Sequence, residues 1–411
     1  MFSSPPLPLP QPVLDLAASL PNYVESDALA VTSRLRSQGF DAEVVAQALQ
    51  LSRLRAQAAY KFGDLAGRLA FTSDGLQQAS RAEVSARHAR VMAAAGVRSV
   101  ADLGCGIGSE SLAFLRQGLC VTAVELDSAT ASFAAHNLGQ VAPSDCWRVL
   151  VGDARRFDLA AVDAFFADPA RRSSGSRIAQ PDQWLPPLPD LLDLATSKPA
   201  GIKVAPGIGF EWLPPSSRAD FVSCGGSAVE ACIWTGRLAS SLGGPGRSAV
   251  VFRGGREFVL DAEVGSPDLP SPLVPSGSGA FLYEPDPAVV RSGAMSALAS
   301  EFALGTLDPH LAFLCGDVNP RSLSSDAERF SALVQSFEIL ERCPLRAKPI
   351  KAACQRAGIG YVDVLVRGVQ VEPQQLRKQL KLKGSGQRGA VLAARVGDDH
   401  FAYVCRPVSA N

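Results

Sequence analysis

One heptapeptide, Asp102-Leu103-Gly104-Cys105-Gly106-Ile107-Gly108, constrains the fold of this chain more than any other stretch. It lies between an apolar run, Val97 to Leu103, that reads as a strand, and Ser109 to Gln117, which reads as a helix stopped by Gly118. Three glycines in a strand-to-helix turn supply positive φ values and let a bound molecule approach the backbone closely. The rhythm then repeats, with a strand at Cys120 to Glu125, a helix at Ser128 to Leu138 and a stop at Gly139. Further strands are expected at Trp147 to Val151, Val162 to Ala167, Gly201 to Ala205, Val229 to Trp234 and Ser248 to Phe252. This alternation is the sequence form of an α/β fold, a parallel sheet with crossover helices. No convincing helix separates the last two strands, so they are expected to close the sheet as an antiparallel hairpin.

Two classes of cofactor use such a turn. In the dinucleotide fingerprint a third glycine falls where this chain has Ser109, and a pyrophosphate sits on the helix N-terminus. Here that terminus carries Glu110, with Asp102 before the loop; two carboxylates oppose a pyrophosphate but suit the cationic sulfonium and ammonium groups of S-adenosylmethionine. Asp102, Gly104, Gly106 and Gly108 are therefore candidate contacts for that cofactor. Glu125 closes the second strand, where a carboxylate can accept hydrogen bonds from both ribose hydroxyls. Asp127 reads as a turn residue or cap for the next helix. Asp153, at the end of the third strand, is the candidate for the adenine amine, or else a solvated turn aspartate.

The fourth strand ends in Phe165-Phe166-Ala167-Asp168-Pro169-Ala170-Arg171-Arg172. An acid followed by proline at this edge resembles the Asp-Pro-Pro-aromatic signature of amine-methylating enzymes acting on nucleobases, with Ala170 and Arg171 in place of the second proline and the aromatic. The resemblance implies an acid that holds a nucleobase amine in line with a methyl group and stabilises the positive charge the nitrogen gains. Asp168 and Pro169 are the candidate catalytic residues. Arg171 and Arg172 could stack on a base or hold a phosphate, or simply face water, while Phe165 and Phe166 read as core.

At 411 residues the chain is expected to hold two or three units, at about 100 to 200 residues each. Residues 1–84 read as a proline-rich, disordered or loosely docked tail, Met1 to Pro12, followed by a helical lead-in from Val13 with Gly39 as a stop. Residues 85–262 hold the glycine loop and its sheet, 263–279 form a linker dense in proline, serine and glycine, and 280–411 are a second α/β unit. Helices are expected there at Ala288 to Phe302 and Ser325 to Glu338, and strands at Gly360 to Arg367, Ala390 to Arg395 and His400 to Arg406. Forty acidic residues balance forty basic ones, so no global field draws the chain to nucleic acid or membrane. The neutrality hides a basic end, in which Lys378, Lys381 and Lys383 are candidate phosphate contacts. Nine cysteines without metal spacing, four scattered histidines and no run of about 18 apolar residues argue against a metal site, secretion and a membrane span, and point to a reducing cytoplasm.

Together the loop and its partners resemble the class I S-adenosylmethionine-dependent methyltransferases. Upstream, Tyr60-Lys61-Phe62-Gly63 and Phe71-Thr72-Ser73-Asp74-Gly75-Leu76-Gln77-Gln78-Ala79-Ser80 resemble the region before the glycine loop in trimethylguanosine synthase-like RNA methyltransferases. That resemblance implies Phe71, Thr72 and Gln78 as cofactor contacts. The Asp168-Pro169-Ala170-Arg171 form and the segment Leu376 to Gly384 are similar to bacterial methyltransferases with a THUMP-like C-terminal domain, here at about 340–411. The resemblance implies a Rossmann-like seven-stranded sheet, a helical lead-in and a smaller α/β THUMP-like domain. It also implies RNA as partner and methylation of a base amine as activity. A methyltransferase of a small molecule or protein, and a non-catalytic module that binds cofactor or RNA, remain open; so do the RNA, the atom modified and the oligomeric state.

Overall fold

The computed structural model describes residues 2–6, 8–170, 172–173, 176–263, 279–308, 311–323, 326–382 and 384–408. The chain divides into two compact units. One is Met1–Val204 with Phe210–Arg218 and Cys232–Pro245; the other is Ala205–Gly209, Ala219–Ala231 and Gly246–Asn411.

In the first unit the lead-in is helical, as expected: α1 (Gln11–Ser19), α2 (Ala28–Ser37), α3 (Ala42–Phe62), α4 (Ser73–Gln78) and α5 (Ala82–Ala94). Asp41 caps α3 by accepting from Glu43 and Val44 amides, and Gly63, at φ 53°, ends it. The first residues are not a loose tail. Ser3 pairs with Val151, N to O at 3.3 Å and O to N at 2.8 Å, and the ring of Phe2 lies where a Cβ on Gly152 would stand.

Five parallel strands follow: β1 (Ser99–Leu103), β2 (Cys120–Glu125), β3 (Trp147–Val151), β4 (Ala164–Ala167) and β5 (Ala200–Val204), in the order β5-β4-β1-β2-β3. The crossovers from β1 to β2 and from β2 to β3 are α6 (Ser109–Arg116) and α7 (Ser128–Gly139), which Asp127 caps through the Thr130 amide. β1, β4 and β5 are almost wholly buried, as strands covered on both faces must be. Phe165 and Phe166 are fully buried and belong to the core. Phe114, Phe166 and Trp234 pack edge to face or tilted within it, each contributing about 1.5–3 kcal/mol of apolar burial.

The expected hairpin is placed differently. β6 (Arg218–Cys224) lies beside β7 (Ser227–Trp234), and the antiparallel hairpin is β8 (Gly246–Arg253) with β9 (Arg256–Asp261). A short helix, Arg237–Ser241, follows β7. The strand Val229 to Trp234 therefore does not pair with Ser248 to Phe252.

The second unit holds a seven-stranded mixed sheet built from β10 (Phe281–Pro285), β11 (Gly305–Thr306), β12 (Leu314–Gly316), β13 (Val334–Pro344), β14 (Ile359–Arg367), β15 (Gln387–Val396) and β16 (Asp399–Val408). Their order is β11-β12-β10-β13-β16-β15-β14, with only β14 and β15 parallel. The helix expected at Ala288 to Phe302 is two helices, Pro287–Ser292 and Met295–Phe302, because Gly293 breaks it at φ 77°. The one expected at Ser325 to Glu338 stops at Leu333, and Val334 begins β13. The linker 263–279 falls, except at its two end residues, outside the described residues, as do His310 and Ser325.

Candidate active site

The loop after β1 is held by backbone hydrogen bonds before any side chain is considered. Gly104 and Cys105 amides both donate to the Val124 carbonyl at the end of β2, at 2.8 and 3.1 Å, and Gly108 donates to Cys105 at 2.9 Å. Gly104, Gly106 and Gly108 take φ of 82°, 57° and 88°, the left-handed region that a side chain disfavours. A Cβ on Gly104 would lie 3.5 Å from the Asp168 carbonyl oxygen, so the ends of β1, β2 and β4 meet here.

Glu125, half-buried at the end of β2, faces this loop directly. Its Oε2 accepts from the Gly106 amide at 3.0 Å and its Oε1 from the Asp127 amide at 3.0 Å. Each carboxylate oxygen keeps acceptor capacity for a further donor. The sequence reading treated Glu125 and the glycines as separate contacts; the fold makes them one assembly.

Asp102 and Glu110 behave differently from the charge argument made on sequence. Asp102 is 1% exposed and accepts from Ser111 Oγ at 2.6 Å. Burial, with lesser contributions from Glu110 and Asp168, pushes its carboxyl up to about 7. Glu110 is buried too, with Oε2 at 3.0 Å from His88 Nδ1. Burial alone would raise Glu110, but the His88 charge and hydrogen bond, Lys203 and a hydrogen bond from Ser80 outweigh it and hold the carboxyl below its ordinary value. His88 itself packs 4.9 Å from the Phe166 ring and 5.7 Å from Trp234. Glu110 is thus a member of an interior network and does not front a ligand.

The other end of that network is Asp168. Its Oδ2 accepts from Lys203 Nζ at 2.7 Å, and the same ammonium donates to Ser80 Oγ at 2.9 Å. Lys203 is 6% exposed and was missed on sequence. The signal available was one cation inside the otherwise apolar strand Ala-Gly-Ile-Lys-Val. Its meaning depends on register, because Ala167 pairs with Ile202 across β4 and β5, which brings the next residues, 168 and 203, level with each other. His88, Glu110, Ser80, Lys203 and Asp168 form one chain of polar contacts leading from the core to the end of β4, where the Asp168 side chain is 30% exposed. Pro169 is buried, and Ala170 pairs with Leu185 through both backbone groups. Arg171 lies outside the described residues, as does the side chain of Arg172.

The segment before the loop is clamped onto it. Asn137, fully buried on α7, accepts from the Ala70 amide at 2.7 Å and donates to the carbonyls of Ala70 at 3.0 Å and Ile107 at 2.9 Å. Phe71 is buried against Phe62, ring centroids 5.2 Å apart, and Thr72 caps α4 through the Gly75 amide at 3.0 Å. Gly75 comes so close to Ile107 that a Cβ would meet its Cγ2 at 2.5 Å. Lys61 closes the far end of α4, donating to the carbonyls of Leu76, Gln77 and Ala79; burial, then Lys203 and Arg81, push it down to about 8. Gln78 is exposed.

Asp153 is engaged by a neighbour. It accepts from the Arg155 amide at 3.0 Å and from the Arg155 guanidinium at 2.7 Å, which holds its carboxyl below the usual range. Lys378 and Lys381 are exposed residues of the second unit, at and just after the helix Pro373–Leu380, and Lys383 lies outside the described residues.

Two stability predictions arise here. Asn137→Ala should lower unfolding free energy by about 3 kcal/mol, since it strands the buried Ala70 amide and Ile107 carbonyl. Urea titration reads this as a lower midpoint with an unchanged slope; a shift equivalent to less than about 1 kcal/mol would disprove the clamp. For Asp102 the folded value, about 7, lies above the unfolded one of ~4, so the folded protein retains a proton that the unfolded chain releases. Its contribution is full below pH ~4 and lost as pH rises through about 7. Asp102→Asn should therefore flatten the decline in melting temperature between pH 5 and pH 8, and parallel wild-type and variant curves would refute it.

Residues 334–407 match a family described as THUMP domain-like. Two proteins of Mycobacterium tuberculosis, from strains CDC 1551 and H37Rv, are 33% identical over 374 residues, spanning 87% of this chain and 96% of theirs. Both are described as uncharacterized S-adenosylmethionine-dependent methyltransferases. A crystal structure from Porphyromonas gingivalis W83, assigned as a methyltransferase, superposes with a TM-score of 0.67 at 18% identity, covering 94% of this chain and all of that one, a likeness of fold.

Proposed function

Since the chain belongs to the S-adenosylmethionine-dependent methyltransferases, with a THUMP-like domain at its C-terminal end, we propose that it methylates an amine nitrogen of an RNA base, held by Asp168. S-adenosylmethionine is its cofactor. The residues present fit that group: the left-handed glycines leave the loop backbone bare, and Glu125 offers a carboxylate whose orientation two amides already set. Glu125 would hold the ribose, with Gly104, Gly106 and Gly108 beneath the donor and Asp102 behind the loop. Asp153 would meet the adenine amine by turning from Arg155, and Phe71, Thr72 and Gln78 would border the donor. Bound there, the donor supplies a methyl group activated by its positively charged sulfur.

The observation that carries the reading is the pair Asp168–Lys203 beside Gly104. A charge-assisted bond from a nearly buried ammonium fixes the direction of the carboxylate, leaving its other oxygen to accept an N–H of the incoming amine. As that nitrogen attacks, it gains positive charge, and a carboxylate fixed beforehand stabilises the charge without reorganising. Pro169 stiffens the turn that presents the acid. Arg171 and Arg172 would steady the nucleotide, and Lys378, Lys381 and Lys383 would track its phosphates.

The THUMP-like match and the basic C-terminal region favour RNA over a small molecule or protein. No helix among the described residues is long and apolar enough to cross a membrane, and the cytoplasm is the compartment this reading implies. Incubation with labelled donor and separate RNA, protein and small-molecule fractions tests the substrate, followed by mass spectrometry of nucleosides. Label confined to protein or small molecules would overturn RNA as the target, and no label in any fraction would favour a non-catalytic module.

A further inference from the structure

In the THUMP-like region, the geometry points to Tyr361, Arg377 and Arg388 as a platform on which an unpaired RNA nucleotide stacks while its phosphates meet the two guanidinium groups; this rests on the RNA reading above. Tyr361 is 44% exposed, the one exposed Phe, Tyr or Trp among the described residues of 246–411. It stands on β14, the edge strand, directly opposite Arg388 of β15. The guanidinium carbons of Arg377 and Arg388 lie 5.4 and 5.6 Å from the ring centroid.

A single acid organises both cations. Asp363, two residues along the strand, takes Arg388 in a two-pronged contact at 2.9 and 2.7 Å and Arg377 at 3.6 Å on its other oxygen. The trio keeps one net positive charge. All three side chains are 37–69% exposed, and ion pairs this wet contribute little to stability. The arrangement is better accounted for as pre-orientation, since side chains held beside an open ring lose less freedom when a ligand arrives. Beneath it the support is rigid: Val362 and Val364 of β14 are buried with Leu376 and Leu380 of the helix that carries Arg377.

The ligand chemistry follows from the parts. An aromatic face flanked by guanidinium groups suits a base, which every nucleotide supplies, together with the phosphate next to it. The contact is read by stacking and charge, so it is indifferent to sequence. It requires a base out of its helix, hence a single-stranded end or loop, because a duplex shows its bases only by their edges.

The test uses the full chain and fluorescence anisotropy with a labelled oligouridylate of 12 nucleotides and a blunt 12-base-pair RNA duplex, over a range of salt. Wild type should prefer the single strand. Tyr361→Ala should weaken it about ten-fold without altering the salt dependence, while Tyr361→Phe retains binding. Arg388→Ala should lower the slope of log affinity against log salt by about 0.7, the signature of one lost phosphate contact. Unchanged affinity in Tyr361→Ala, or a preference for the duplex, would overturn the platform while leaving RNA methylation standing. Absence of any RNA binding by wild type would overturn both. S-adenosylhomocysteine affinity should be equal in wild type and every variant, so a general folding defect would show itself there.

Discussion

Asp168→Asn should bring methyl transfer down by about 10²–10³-fold while S-adenosylhomocysteine binds as in wild type, on the scale of losing one fixed electrostatic contact in a transition state. Asparagine keeps the size of the side chain and a carbonyl for Lys203, but carries no charge to meet the nitrogen as it becomes positive. Alanine is the poorer choice: it removes the acceptor of Lys203, a residue 6% exposed, as well as the charge, whereas asparagine removes the charge alone. The asparagine variant therefore separates chemistry from folding. Calorimetry for the donor product and label transfer into RNA are the two measurements. Full transfer by Asp168→Asn would remove the residue from the reaction, and a matching fall in donor affinity would mean that it shapes the donor pocket instead.

Glu125→Ala should weaken S-adenosylhomocysteine by about 100-fold, with the rate at saturating donor changed far less, since the loss falls equally on ground and transition states. A carboxylate that accepts from ribose hydroxyls contributes about 1.5–3 kcal/mol per bond. In addition the Gly106 and Asp127 amides lose their acceptor, so the loop itself loosens. Glu125→Gln should be milder, about ten-fold, because an amide oxygen can still serve one of the two amides. Equal affinity in wild type and Glu125→Ala would place the sugar elsewhere.

Much of the geometry around the glycine loop was readable from the chain because its causes are local. Glycines at positive φ, an acid at the end of the next strand and a helix cap at Asp127 all lie within two consecutive strand-loop-helix repeats. Lys203 was not readable, since its partner is set by the pairing of Ala167 with Ile202 across two strands. Glu110 was misread for a similar reason: the charge was visible, but His88, on another helix and 22 residues away, was not. In the second unit, Phe330, Leu333, Val334 and Phe337 fall at helical spacing, yet strands pair on either side of β13 and tertiary hydrogen bonding overrides the local pattern from Val334 onward. Gly293 was a visible break in the other misjudged helix, where isolated glycine is tolerated often enough to be passed over.

The glycine turn is braced through its own amides, Gly104 and Cys105 on the Val124 carbonyl and Gly106 on Glu125, so the protein's own bonds set the shape of the cradle. A seat built this way exchanges spent donor for fresh without unravelling. A large excess of S-adenosylhomocysteine should therefore act as a simple competitor with no lag.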